Sequence, residues 1–317
     1  MNVVVVGAGS WGTAFAHILA RSGHAVTLAC RDAGLAGEIA ATGRNPRYLP
    51  TVSLAGVAAT TPAAAPWAEA DLVVLAVPSR AFAEVLAGVA GRAPILSLAK
   101  GLDPATGERL STLVHGRPVA VLSGPNFAGE IAAGLPAAAV VASERAGLAE
   151  TLQGAVSSVT FRVYVNSDLV GVELCAAAKN VIALAAGAVD GLGLGDTAKA
   201  ALIARGLVEM ARLGEACGAR SETFSGLAGM GDLVVTCWSL QGRNRRAGEL
   251  IASGTSPAEA VARIGTVEGL TTAPVLRDLS RRLGIELPIT EGVCAVLEGT
   301  SLSDLVSSLM RREPTNE

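Results

Sequence analysis

The sequence has little histidine, scattered cysteine and no block of basic residues. The three histidines, His17, His24 and His115, fall into no serine–histidine–acid order and no metal-ligand spacing. The five cysteines, Cys30, Cys175, Cys217, Cys237 and Cys294, are odd in number and lack CxxC pairs. Disulfide frameworks and zinc sites need such spacing, so these read as reduced core thiols of a cytoplasmic protein. Lysine and arginine total 25 against 28 acidic residues, a net charge of −3. The cluster Arg243, Arg245, Arg246 is local and makes no basic tail, so nucleic acid is not an expected partner. No run reads as the ~20 consecutive apolar residues of a membrane span, because Lys179 or turn residues interrupt the longest ones. No basic segment precedes the first valines, which argues against a signal peptide. No internal repeat or low-complexity linker is present.

What is present is the composition of a folded chain: 50% hydrophobic and 17% charged over 317 residues. That length suits two domains. Short β-branched runs occur at 3–6, 25–30, 71–77, 94–99, 118–123 and 137–142. Helix-like segments separate most of them, which predicts a parallel, doubly wound α/β sheet. After "FRVYV" (161–165) the pattern becomes almost wholly helical, opened by "NSD" (166–168) as a cap and broken by glycines at 191–195, 226–231 and 299. The expected domains are 1–165 and 166–317.

The run "VVVV" leads into GxGxxG at Gly7, Gly9 and Gly12, directly before a helical pattern. In that context the motif predicts a dinucleotide-binding turn. Gly7 permits the turn, Gly9 admits a pyrophosphate and Gly12 lets helix and strand pack closely. NAD-binding chains usually place an acid at the end of the second strand. Here "AVTLAC" ends in Arg31 and Asp32. Arg31 suits a 2′-phosphate, which points to NADP(H) with NAD(H) also accepted. Asp32 is either that acid or the cap of the next helix.

Further polar residues sit at strand ends or helix starts, where open α/β sheets bind ligands. Lys100 follows a strand in "SLAKGLD", and Gly124, Asn126 and Ala128 follow another in "LSGPNFAGE". Asp232 lies among glycines in "GLAGMGDLVVTC", either capping a helix or accepting hydrogen bonds from a substrate hydroxyl or from Lys179. Arg243 and Asn244 precede a helix in "QGRNRRAGEL", a pattern suited to phosphate. Glu268 lies in a loop, "GTVEGLTT", within reach of a ribose or nicotinamide amide. Lys179 stands in "CAAAKNVIALAAG", on a helical face with Val172, Cys175, Ala176 and Ile182. An ammonium there must snorkel, pair with an acid or line a cavity. Burial would lower its pKa toward the range of a general acid–base.

Taken in order, "GAGSWGTA", "AKGLD", "LSGPNFA", "AKNVIALAAG", "GMGDLVVTC", "GRNRR" and "VEG" span nearly the whole chain. The sequence resembles bacterial NAD(P)-dependent glycerol-3-phosphate dehydrogenases. The resemblance implies an N-terminal Rossmann domain and an all-helical C-terminal domain like that of 6-phosphogluconate dehydrogenase. It implies reversible reduction of dihydroxyacetone phosphate, a phosphorylated triose, to sn-glycerol 3-phosphate for phospholipid synthesis. No metal is implied, and a homodimer stays open.

By the same resemblance Lys179 is the proton donor and acceptor. Cofactor contacts fall on Ser10, Trp11, Arg31, Lys100, Ala128, Arg243 and Glu268, and substrate contacts on Lys100, Gly124, Asn126, Asp232, Arg243 and Asn244. The chain departs from the family pattern where Gly242 replaces a serine, leaving its backbone N–H for a phosphate, and where Thr266 breaks a valine pair before Glu268. Competing expectations are a 3-hydroxyacid or ketopantoate-type dehydrogenase, which needs a carboxylate-binding arginine, and an NADPH-sensing protein without catalysis.

Overall fold

The computed structural model describes residues 1–302; the end of the expected second domain, 303–317, lies outside the described residues. The first half alternates strand and helix: β1 (Asn2–Val6), α1 (Ser10–Arg21), β2 (Ala25–Ala29), α2 (Ala33–Thr42), β3 (Val57–Thr60), β4 (Leu72–Leu75), α3 (Phe82–Ala87), β5 (Ile95–Ser97), β6 (Val119–Ser123), α4 (Ala128–Ala132), β7 (Ala137–Ala142), α5 (Leu148–Val156) and β8 (Phe161–Asn166). The strands form one eight-stranded sheet, ordered β3-β2-β1-β4-β5-β6-β7-β8. Its first six positions follow the Rossmann order, with the reversal between β1 and β4. β1 pairs in parallel with both neighbours, Val4 opposite Thr27 on one side and Val73 on the other. It is buried on both faces, which explains its unbroken valines.

Two features depart from the sequence reading. β3 is "VAAT", too short and small to stand out. The sheet is also not wholly parallel, since β7 runs antiparallel to β6, with Leu122 opposite Val141. Alternating hydrophobicity marks a strand but not its direction.

The second half is helical: α6 (Leu169–Gly191), α7 (Gly195–Ala216), α8 (Ser221–Ser225), a π-helical turn (Leu227–Gly231), α9 (Asp232–Trp238), α10 (Arg243–Ala252), α11 (Pro257–Ile264), α12 (Glu268–Leu283) and α13 (Pro288–Leu297). Asp168 caps α6 by accepting the Gly171 N–H at 2.8 Å. α6 has a mean hydropathy of 1.7 over its most apolar 18-residue window, long and apolar enough to cross a membrane by those measures. Lys179 interrupts it, as the sequence reading has it, and its place in the fold accounts for its composition. The reason is tertiary: 89% of that window is buried inside the fold, with α7, α9, α10 and α12 around it.

Small residues set the closest contact. A Cβ on Gly187 of α6 would sit 1.8 Å from the Arg245 carbonyl oxygen, and one on Gly248 of α10 would sit 1.9 Å from that of Leu184. Only glycine lets the two backbones meet so closely, and this brings the start of α10 against the middle of α6. The halves are also tied by a buried acid. Glu173 of α6 accepts from Arg109 at 2.9 Å and from the N–H and hydroxyl of Ser111. Burial pushes its carboxyl pKa up, against those donors.

Candidate functional site

The nucleotide end of the site begins at the glycine turn. Gly7 has φ +107°, and a Cβ there would lie 2.4 Å from the Ala76 oxygen. A Cβ on Gly12 would lie 1.9 Å from the Gly7 oxygen, so helix α1 can approach the turn only without one. Gly9 differs: its Cβ direction meets nothing within 4 Å, leaving open space above the turn. α1 starts at Ser10 with no side-chain cap, and the buried Trp11 Nε1 has no hydrogen-bond partner. Open space, an uncapped helix start and an orphaned donor fit the pyrophosphate end of a dinucleotide. At the end of β2, Arg31 is exposed, whereas Asp32 caps α2 through the Leu35 N–H at 3.1 Å and pairs with Arg47 at 2.5 Å. Of the two readings of Asp32, the structure takes the cap.

The chemical end lies where β5, β6, α6, α9, α10 and α12 meet. Asp232 is the first residue of α9 and is 1% exposed. Its Oδ1 accepts from Lys179 Nζ at 2.6 Å and its Oδ2 from Lys100 Nζ at 2.7 Å. Lys100 also donates to the Gly124 carbonyl at 3.0 Å, and Lys179 to Thr236 Oγ1 at 2.8 Å. Of the three fates open to Lys179, the structure selects pairing with an acid inside the protein; its residue is 4% exposed. Desolvation lowers its pKa to about 8. The Asp232 charge pulls the other way and the Lys100 charge reinforces the fall. Burial alone would raise the Asp232 carboxyl, but the Lys100 and Lys179 ammoniums hold it below the ordinary carboxylate range.

A chain of amides extends the cluster. Asn180 donates to the Lys100 carbonyl at 2.9 Å, Asn244 donates to Asn180 Oδ1 at 2.8 Å, and the Gly269 N–H donates to Asn244 Oδ1 at 2.9 Å. Glu268 stands at the start of α12 and not in a loop, which corrects the sequence reading. Its carboxylate accepts from the Ser79 hydroxyl at 2.6 Å and the Ser79 N–H at 3.2 Å, while burial raises its pKa. Arg243 begins α10, whose N-terminus has no side-chain cap, and its charge acts on Glu268. Asn126, in the loop after β6, has both side-chain amide atoms buried without a hydrogen-bond partner. Such atoms are costly to leave unpaired and suit a polar ligand. Ala128 opens α4, in the same loop–helix connection.

One expectation fails locally. The Gly242 N–H already donates to the Ser239 carbonyl at 3.1 Å, so it is not left over for a phosphate. A side chain would crowd this position, since a Cβ would lie 2.7 Å from the Thr236 oxygen. Sequence reasoning also passed over Thr236, Ser79 and the bonding role of Asn180. Thr236 follows Asp232 by one helical turn and was recoverable from that spacing. Ser79 is distant in sequence from its partner Glu268 and carries no local signal.

Comparison with known proteins agrees along the whole chain. A family model described as the NAD-dependent glycerol-3-phosphate dehydrogenase N-terminus matches residues 2–149, and its C-terminal counterpart matches 168–307. A glycerol-3-phosphate dehydrogenase [NAD(P)+] of Moorella thermoacetica is 45% identical over 328 residues, covering 100% of this chain and 97% of that protein. One from Thermoanaerobacter is 44% identical, covering 100% and 99%. The crystal structure of glycerol-3-phosphate dehydrogenase from Coxiella burnetii aligns with a TM-score of 0.92 at 38% identity, covering 98% of this chain and 99% of that one. A ketopantoate reductase from Ralstonia eutropha aligns with a TM-score of 0.61 at 20% identity, covering 94% and 97%, a likeness of fold alone. With both halves matched and relatives this similar from end to end, the chain belongs to the NAD-dependent glycerol-3-phosphate dehydrogenase family.

Proposed function

We propose that this protein reversibly reduces dihydroxyacetone phosphate to sn-glycerol 3-phosphate with NAD(P)H, with Lys179 as the proton donor and acceptor. The observation that carries this reading is the Lys179 ammonium, buried and aimed at Asp232 over 2.6 Å, with a pKa lowered to about 8. A general acid–base works best with its pKa near the working pH. NAD(P)H, held at the glycine turn by Ser10 and Trp11, would supply the hydride that reduces the ketone carbon. Lys179 donates one proton to the alkoxide oxygen that results, and in the reverse direction the neutral amine takes it back. Asp232 fixes the Lys179 and Lys100 ammoniums side by side, so positive charge faces the developing oxyanion without having to reorganise.

The remaining roles follow position. Lys100, Gly124 and Asn126 border the hydroxyl and carbonyl groups of the triose. Arg243 and Asn244 hold its phosphate, helped by the uncapped start of α10. Phosphate binding far from the reacting carbon then aligns the ketone. The glycine turn with Ser10 and Trp11 takes the pyrophosphate, Ala128 and Glu268 contact the cofactor, and Arg31 favours NADP(H). We assign residues 1–165 to the cofactor and 166–317 to the substrate. We place the activity in the cytoplasm, where it supplies phospholipid synthesis; a homodimer fits the same reading.

The test follows NADPH and NADH absorbance with dihydroxyacetone phosphate, with unphosphorylated dihydroxyacetone and ketopantoate as controls. Turnover is expected with the phosphorylated triose and to fall steeply without the phosphate. Turnover confined to ketopantoate would overturn the assignment.

A further inference from the structure

The rim of the nucleotide site holds an arginine to which no role has been assigned. Asp32 has both carboxylate oxygens committed, Oδ1 to the Leu35 N–H at 3.1 Å and Oδ2 to Arg47 Nη1 at 2.5 Å. Its charge is therefore already engaged by a helix N–H and a cation. Arg47 lies in the loop after α2, and its placement is fixed from below by Asn45, which is 0% exposed. The Asn45 amide nitrogen donates to the Ala8 carbonyl at 2.9 Å and to Thr13 Oγ1 at 2.8 Å. Its oxygen accepts the N–H groups of Arg47 at 3.2 Å and Tyr48 at 3.1 Å. All four hydrogen-bonding positions of that amide are used. Ala8 is the residue between Gly7 and Gly9, so Asn45 ties the Arg47 backbone directly to the glycine turn. The Arg47 side chain remains 55% exposed, beside the strand end that carries Arg31.

We infer that Arg47 is a second determinant of cofactor choice, neutralising Asp32 and joining Arg31 around the 2′-phosphate of NADP(H). A phosphate monoester presents three acceptor oxygens and about two negative charges, more than one guanidinium fork satisfies. An Asp32 carboxylate left bare would repel it. An exposed ion pair is weakly held, so Arg47 can share itself between carboxylate and phosphate at little cost. NAD(H), which has a hydroxyl in place of the phosphate, gains nothing from either arginine. This inference rests on the cofactor reading above.

Direct binding separates the two. Calorimetry would compare NADPH with NADH, and 2′,5′-ADP with 5′-AMP, on the wild-type chain and Arg47→Ala. The variant should lose roughly ten- to a hundredfold in affinity for NADPH and 2′,5′-ADP, the worth of a charged hydrogen-bonded contact. NADH and 5′-AMP should change by less than about twofold, since no charged contact to them is removed. An equal loss for both members of each pair would show that Arg47 only shapes the loop and would overturn the inference, as would no change at all. Failure of the wild-type chain to bind either dinucleotide would instead sink the cofactor reading.

Discussion

Two of the aspartates at helix starts in this molecule, Asp32 and Asp232, are bound to cations. Asp32 caps α2 at the rim of the nucleotide site and pairs with Arg47 in the open, with side chains 41% and 55% exposed. Asp232 opens α9 in the interior between two lysines, with its side chain 2% exposed. Water is what differs. At the rim, solvent screens the charges, so the pair can be rearranged and serves discrimination between ligands. Inside, each charge depends on its partners, and desolvation lowers the Lys179 pKa to about 8 against the pull of Asp232.

The largest expected effect strikes the interior cluster. Lys179→Ala should lower kcat by roughly 10²–10⁴-fold, the usual contribution of a general acid. NADPH binding, followed by fluorescence titration, should remain. A folded variant with near-normal turnover would remove the proposed role. Next comes Asp232→Ala, which leaves the buried Lys179 ammonium and the partly exposed Lys100 ammonium without their acid. Losing one partner of a buried pair typically costs about 3–5 kcal/mol, to be read by urea unfolding. A loss no larger than that of a surface mutation would mean that water reaches the cluster, and the contrast with Asp32 would fail.

The pH profile sharpens the same contrast. Reduction uses the protonated lysine, so its rate should fall as pH rises through about 8, while oxidation, which needs the free amine, should rise over the same range. Asp232→Asn removes the charge that favours the ammonium, so both midpoints should move to lower pH. A midpoint that stays put would separate Lys179 from Asp232. Gly242→Ser places a Cβ 2.7 Å from the Thr236 oxygen in this backbone. Crowding of that kind costs about 1–3 kcal/mol, checked by thermal unfolding; an unchanged melting temperature would show that the turn gives way without cost. The smallest effect belongs to Asp32→Ala. It should shave the melting temperature slightly through the lost cap and leave turnover with dihydroxyacetone phosphate nearly intact.

Much of this was legible before any tertiary contact was known. The valine run, GxGxxG and a helical pattern together announce the strand–turn–helix unit, because close backbone packing there admits only glycine at Gly7 and Gly12. The "NSD" cap of α6 was equally local. Other features were not local. β3 is four residues of small side chains, and the antiparallel β6–β7 pairing depends on how the chain returns to the sheet. Glu268 reads as a loop residue in sequence, yet it opens α12 and meets Ser79, far away in the chain.

By itself the sequence determined most of the alternation of elements, the glycine turn and which polar residues follow strands. Those depend on backbone sterics and periodicity within a few residues. It also placed Lys179 on an apolar helix face without deciding between snorkelling, pairing and lining a cavity. Only the tertiary structure decided that. Asp232 lies 53 positions from Lys179, and Lys100 lies 132 from Asp232. Packing of α6, α9 and the end of β5 buries Lys179 and Asp232 and leaves Lys100 at the edge of the cluster, 18% exposed. Burial distant in sequence turns an ordinary ammonium into one with a pKa of about 8.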